Sequence, residues 1–169
     1  MYETLAYSLE NSVATITLNR PDVYNAFNGQ LKKELLHAMQ ESGKNDAVRA
    51  VVLTGNGKAF SSGQDLKEAM SISKNGKIDF QTMVQEGYNP IIRAMRDLPK
   101  PILAGINGVA AGAGLAIALA ADMRIMNAEA RLVEGFTGIA LVPDSGGTYF
   151  FARMMNYPRA FEFIALNEP

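Results

Sequence analysis

Two glycine-bearing turns and one isolated carboxylate hold the residues of this chain that could do chemistry. The first turn reads Phe60-Ser61-Ser62-Gly63-Gln64-Asp65-Leu66, the second Asn107-Gly108-Val109-Ala110-Ala111-Gly112-Ala113-Gly114. Each follows a short apolar, β-branched run that reads as a strand, and each leads into a helical pattern. Backbone N–H groups at a helix start have no intrahelical acceptor, so such a turn can hold an anion or a developing oxyanion. Two of them in one domain suggest a site that grips one oxygen from two sides. Helix–sheet packing is the competing account of the second turn, and it covers Ala110, Ala111 and Ala118 in either case. It does not explain Ser61-Ser62-Gly63-Gln64-Asp65, where small residues stand without a following apolar face.

The carboxylates divide by context. Asp65 opens Asp65-Leu66-Lys67 and reads as a helix N-cap. Asp122 ends an alanine-rich helical run and reads as structural, while Glu129, between Asn127 and Arg131, reads as exposed. Glu134 could reach a cleft or pair with Arg131. Asp144 differs from all of these, because it stands between Pro143 and Ser145-Gly146-Gly147 at a loop-to-helix junction of small and apolar residues. It could cap that helix. In an apolar cleft its pKa would instead rise, and it could serve as an acid or base.

Rival motifs fit poorly. A dinucleotide fingerprint built on Gly112-Ala113-Gly114 would need a small residue where Ile117 stands, and an acidic residue at a strand end near 131–134. A phosphate loop around Gly57-Lys58 fails because Ala59 follows the lysine and Val52 takes the place of the first glycine.

Composition narrows the classes further. The 169 residues suffice for one domain with a sizeable core, and hydrophobic and charged residues stand at 48% and 20%, ordinary values for a globular protein. A net charge of −1 argues against nucleic acid or an anionic membrane as partner. The absence of cysteine excludes disulfides, thiolate metal sites and cysteine nucleophiles, and the single histidine, His37, leaves little for His-rich metal sites or a Ser-His triad. No signal-peptide profile opens the chain and no apolar run reaches spanning length, so a cytoplasmic protein is expected.

The elements that must position the turns follow from pattern. Residues 4–9 and 13–18 form a hairpin about Glu10-Asn11-Ser12. Asn28 caps a helix over 29–42, with Leu31, Leu35, Ala38 and Met39 on one face and His37 solvated on the other, beside Lys33 and Glu41. A buried strand is expected over 50–54 and a short helix over 65–70. The polar segment 71–79 is expected to be mobile, a lid over the site. A helix over 80–97 is interrupted at Pro90, giving two pieces or a kink. Strands at 102–106, 123–126 and 131–133 and helices at 114–121, 147–155 and from Tyr157 onward complete the chain. Recurring strand–turn–helix units indicate an α/β architecture with right-handed crossovers.

Taken together these segments resemble the crotonase superfamily, the enoyl-CoA hydratase/isomerase group. Asn19-Arg20-Pro21 with Asn25-Ala26-Phe27-Asn28 resembles its opening signature, and the two glycine turns resemble its two oxyanion-hole segments. Ala140-Leu141-Val142-Pro143-Asp144-Ser145-Gly146-Gly147-Thr148 resembles its next loop. The likeness runs from near Val13 to the end.

The resemblance implies an α/β fold of stacked ββα turns forming a spiral, with residues 1–169 as a single crotonase-like core domain. Family members continue through further helices, so a C-terminally truncated chain is expected here. The implied substrate is an acyl-coenzyme A thioester, whose carbonyl oxygen would accept hydrogen bonds from the backbone N–H groups of Gln64 and Ala113. Coenzyme A is then part of the substrate and no separate cofactor is implied. By the same carry-over Ala26, Ser62, Gly63, Asp65, Leu66, Lys67 and Gly114 would line the substrate path, and a homotrimer or dimer of trimers would be the assembly. Neither a nucleic acid nor a membrane is an implied partner.

Two departures from the hydratase pattern narrow the chemistry. The positions matching the hydratase glutamates are Ala116 and Phe136, neither of which can activate water. Asp144 stands where hydratases usually carry glycine, and resembles the lone aspartate of members that isomerise double bonds or ring epoxides. The expected activity is therefore an acyl-CoA isomerase working by α-proton abstraction, with Asp144 as the acid/base. An enoyl-CoA hydratase is the alternative within the enzyme class. A non-catalytic acyl-CoA-binding or oligomerisation subunit is the alternative outside it.

Overall fold

Left-handed backbone at Asn11 (φ 50°) and Ser12 (φ 64°) closes the N-terminal hairpin in the tight turn whose twist matches that of its strands. The computed structural model describes residues 2–71, 73 and 78–168. Residues 72 and 74–77, within the expected lid, lie outside the described residues.

In chain order the elements are β1 (Leu5–Glu10), β2 (Val13–Leu18), α1 (Gly29–Lys44), β3 (Ala50–Gly55), β4 (Ala59–Ser61), α2 (Leu66–Ser71) and α3 (Phe80–Thr82). A wide turn, Met83–Tyr88, then leads into α4 (Asn89–Arg96), β5 (Ile102–Ile106), β6 (Val109–Ala111), α5 (Ala113–Ala120), β7 (Met123–Met126), β8 (Leu132–Val133), α6 (Gly147–Met154) and α7 (Tyr157–Leu166).

The strands form two sheets. The larger has the order β1-β2-β3-β5-β7, antiparallel only at the hairpin, and the smaller has the order β4-β6-β8, parallel throughout. Each repeat therefore gives a strand to the large sheet, a short strand to the small sheet, and then a helix: β3-β4-α2, β5-β6-α5, β7-β8-α6. This is the ββα spiral that the resemblance implies. Strand β4 overlaps the start of the first glycine turn and β6 lies inside the second, where pattern alone indicated only turns.

Between the large sheet and its helices Ile16, Leu18, Phe27, Leu31, Leu35, Met39, Leu53 and Ile91 are fully buried. Asn28 caps α1 as its side-chain oxygen accepts from the Leu31 N–H at 2.9 Å. All eight residues of α5 are buried, which suits a helix apolar on every side. Asp122 is structural: its carboxylate accepts from the Ile102 N–H at 2.9 Å and pairs with Arg96 at 3.2 Å. His37 is exposed, with Nδ1 2.8 Å from the Tyr2 hydroxyl oxygen.

Pro90 does not break the helix as expected. The chain widens ahead of it into a π-turn over Met83–Tyr88, where Asn89 N–H reaches Val84 O, five residues back. Proline has no N–H to offer, so a pairing shifted by one residue lets the helix continue through it. No helix among the described residues is long and apolar enough to cross a membrane.

Candidate active site

Strand β4 delivers Gly63, whose φ of +91° favours glycine and whose absent Cβ would lie 2.9 Å from Ala111 O. The two glycine turns are thus in contact. On the other side Phe27 bridges the first turn in parallel fashion: Phe27 N–H donates to Gly63 O at 2.7 Å and Asp65 N–H donates to Phe27 O at 3.0 Å. In a trans peptide the N–H points opposite to the C=O. With Gly63 O held by Phe27, the Gln64 N–H points away from Phe27.

The second amide is oriented by the same rule. Gly112 O accepts the Ala116 N–H at 3.0 Å, the first bond of α5, so the Ala113 N–H points out of the helix's N-terminal end. Among the described residues neither the Gln64 nor the Ala113 N–H donates a hydrogen bond. Both residues border one cavity of about 150 Å³. The positive end of the α5 dipole adds to the field there.

Asp144 borders the same cavity. It is half-buried between buried Pro143 and Ser145, and the Ser145 hydroxyl donates to its Oδ1 at 2.7 Å. Burial raises its carboxyl above the ordinary aspartate range, and the Ser145 bond partly opposes that rise. Helix α6 begins without a side-chain cap, which leaves the Asp144 carboxylate out of the capping role. The junction is closed instead through the backbone, with Gly147 N–H donating to Asp144 O at 2.7 Å.

Glu134 behaves differently from both alternatives read in the sequence. It makes no ion pair with Arg131 among the described residues and does not line the cavity. It is fully buried, and its Oε2 accepts from the Phe136 and Thr137 N–H groups at 2.9 and 3.3 Å. Its Oε1 has no partner among the described residues. Burial raises its pKa and the Asp144 charge adds to the rise.

Ser62, Gly63 and Leu66 join Gln64, Ala113 and Asp144 on the cavity wall, together with Phe136. Four other expected substrate-path residues stand outside that wall. Arg20 donates to the Ala26 carbonyl and pairs with Asp65 at 3.0 Å, and Asp65 also caps α2 through the Glu68 N–H at 3.2 Å. Lys67 is exposed, and Gly114 is packed against Ser61. Ala116 is buried within α5. No group of three metal-ligating side chains occurs among the described residues.

Two residues at the site had no functional signal in the sequence. The Tyr88 hydroxyl donates to Gln64 Oε1 at 2.7 Å, and Lys32 Nζ donates to the same oxygen at 3.2 Å. Tyr88 is in helical register with Ile91 and Met95, which marks it as core rather than as site. Lys32 sits one residue off the buried stripe of α1.

Comparison with known proteins gives the family. The family model for enoyl-CoA hydratase/isomerase matches residues 8–168. The chain belongs to that family. It is 42% identical, over 94% of its length, to a Rhodobacter capsulatus protein described as a probable enoyl-CoA hydratase. It is 37% identical, over 98% of its length, to the 1,2-epoxyphenylacetyl-CoA isomerase of Escherichia coli. A Mycobacterium abscessus crystal structure assigned as an enoyl-CoA hydratase/isomerase superposes with a TM-score of 0.90 at 38% identity, over 97% of this chain. The chain spans 60%, 63% and 64% of the lengths of these three proteins. Hydratases and isomerases both occur among the relatives, so kinship alone leaves the reaction open between them.

Proposed function

We propose that this protein is an acyl-CoA isomerase in which Asp144 moves a proton and the Gln64 and Ala113 amides hold the thioester oxygen. The family acts on acyl-CoA thioesters. In the proposed reaction the α C–H bond breaks, its electron pair enters the thioester as an enolate, and Asp144 takes the proton. Collapse of the enolate delivers the pair to another carbon of the acyl group, which Asp144 reprotonates, so the step is redox-neutral and needs no co-reactant. Negative charge develops on the thioester oxygen, where each fixed amide donor is worth about 2.7–4 kcal/mol.

One observation carries the preference for isomerisation: Asp144 is the sole carboxylate on the wall of the cavity that both unpaired amides border, among the described residues. Burial raises its pKa above the ordinary aspartate range, the direction that suits a group which must take a proton as well as return it. Hydration would need a second carboxyl to orient water, and Phe136 stands on the wall where the resemblance puts one of the hydratase glutamates. Coenzyme A enters as part of the substrate, with no further cofactor. A cytoplasmic homotrimer or dimer of trimers belongs to the same proposal, and sedimentation tests the assembly.

The test is a panel of enoyl-, aryl- and epoxy-acyl-CoA thioesters assayed in deuterated water with the native protein and Asp144→Asn. Isomerised product, with deuterium at the newly protonated carbon or at the α-carbon of recovered substrate, all lost in Asp144→Asn, supports the proposal. Water added across the double bond would make the protein a hydratase. Tight binding with neither exchange nor product would make it a non-catalytic acyl-CoA module.

A further inference from the structure

The Gln64 side chain is held more firmly than an oxyanion donor acting through its backbone would require. Its Oε1 accepts from Tyr88 and Lys32, and its Nε2 donates to Asp65 O at 3.1 Å. Tyr88 is 2% exposed and is braced edge-on by Phe27, with ring centroids 6.0 Å apart. Lys32 Nζ also sits over the Tyr88 ring, 4.9 Å from its centroid. Phe27 in turn fixes the peptides on either side of residue 64. The hydroxyl, the ammonium and the Phe27 backbone thus converge on one residue.

The space around Gln64 gives this clamp a task. Gln64 and Met83 line both the 150 Å³ cavity and a neighbouring cavity of about 470 Å³. A free Gln64 side chain has room to swing into the larger space, and the Tyr88 and Lys32 contacts add side-chain anchorage to the Phe27 backbone bonds that hold residue 64 in place. Burial pushes the Tyr88 phenol well above its ordinary pKa, so the hydroxyl keeps the proton it donates.

We infer that Tyr88, assisted by Lys32, is a positioning residue that acts through the Gln64 side chain to aim the Gln64 amide at the thioester oxygen. This rests on the acyl-CoA reading above. Tyr88 also borders the 150 Å³ cavity, and the role inferred for it runs through the donor it steadies.

The test is a double-mutant cycle on the native protein with Tyr88→Phe and Gln64→Met, read by kcat, KM and thermal midpoint. Each single variant should lower kcat about ten- to hundredfold with KM within about threefold. The double variant should be no worse than the poorer single, because the two remove the same clamp. Tyr88→Phe keeps the buried ring, and its thermal midpoint should stay within a few degrees. Losses that multiply in the double variant would overturn the inference, as would unchanged kcat in Tyr88→Phe.

A second measurement is independent of turnover. The carbonyl stretch of a bound enoyl-CoA thioester, recorded by difference infrared spectroscopy in the Asp144→Asn background, reports the strength of the two donors. A downshift that shrinks when Tyr88→Phe is added supports the clamp. An equal downshift with and without Tyr88→Phe overturns the clamp but leaves the acyl-CoA reading intact. No downshift in Asp144→Asn alone overturns both.

Discussion

Gly114 stands so close to Ser61 that a β-carbon on it would lie 2.7 Å from both Cβ and Oγ of that serine and 2.8 Å from its carbonyl oxygen. The start of α5 and the end of β4, within the first glycine turn, are in direct contact there. Two of the three atoms belong to a short side chain and one to backbone, so little can give way. Gly114→Ala should therefore cost about 1–3 kcal/mol in urea unfolding. Because the neighbouring Ala113 amide would shift with the helix, kcat should fall more than stability alone accounts for.

Asp144→Asn should abolish a proton shuttle, lowering kcat about 10²–10⁴-fold while acyl-CoA affinity is retained. Its effect on stability has the opposite sense. The folded Asp144 carboxyl keeps its proton to higher pH than the unfolded one. Its contribution to stability is complete below the unfolded pKa and is lost as pH rises through the raised folded value. The variant, neutral at every pH, should be the more stable protein at pH 7, and the difference should vanish in acid. Denaturant titrations at a series of pH values measure this.

Glu34 provides the reverse case, remote from the site. Burial would raise its pKa. Hydrogen bonds from the Thr4 hydroxyl, the Glu3 and Thr4 N–H groups and the Gln30 amide outweigh burial and bring it from 4.5 to about 2. Its stabilisation is present above the unfolded pKa and is lost as pH falls towards the folded one. Glu34→Gln should be less stable than the native protein at pH 7, with the two converging between 4.5 and about 2.

Arg20 ties the opening segment to the first glycine turn through Asp65 and the Ala26 carbonyl, with side chains only 20% and 13% exposed in the ion pair. Burial would raise the Asp65 carboxyl, but hydrogen bonds from the Glu68 N–H and Arg20, with the Arg20 charge, hold it below the ordinary range. Arg20→Ala should cost about 1.5–3 kcal/mol, the range for a hydrogen bond to a charged group. The Asp65 carboxyl, followed by NMR, should titrate at higher pH in the variant.

Much of the scaffold was legible in the sequence because it obeys local rules. Asn11 and Ser12 tolerate the left-handed turn, Asn28 caps α1, and the 31/35/38/39 stripe has helical period. Asp144 stood out because its neighbours are small or apolar. Strands β4 and β6 did not, since three residues are too few to show an alternation and they pair only across long stretches of chain. Glu134 was misjudged because its partners, the amides two and three residues ahead, depend on a bend that no side-chain pattern announces. Tyr88 looked like core, and is core, yet its hydroxyl reaches the site.

The π-turn carries a consequence for how length can change in this region. Six residues, Met83–Tyr88, occupy a stretch that would otherwise wind as ordinary α-helix. Omitting one of them would restore the common winding, and helical phase advances about 100° per residue. Because the wider winding absorbs the extra residue, α3 and the side chains that face both cavities would keep nearly the same phase against α4. A one-residue gap here is thus taken up by the winding itself and leaves the pocket rim in place, distinct from any change of amino-acid type.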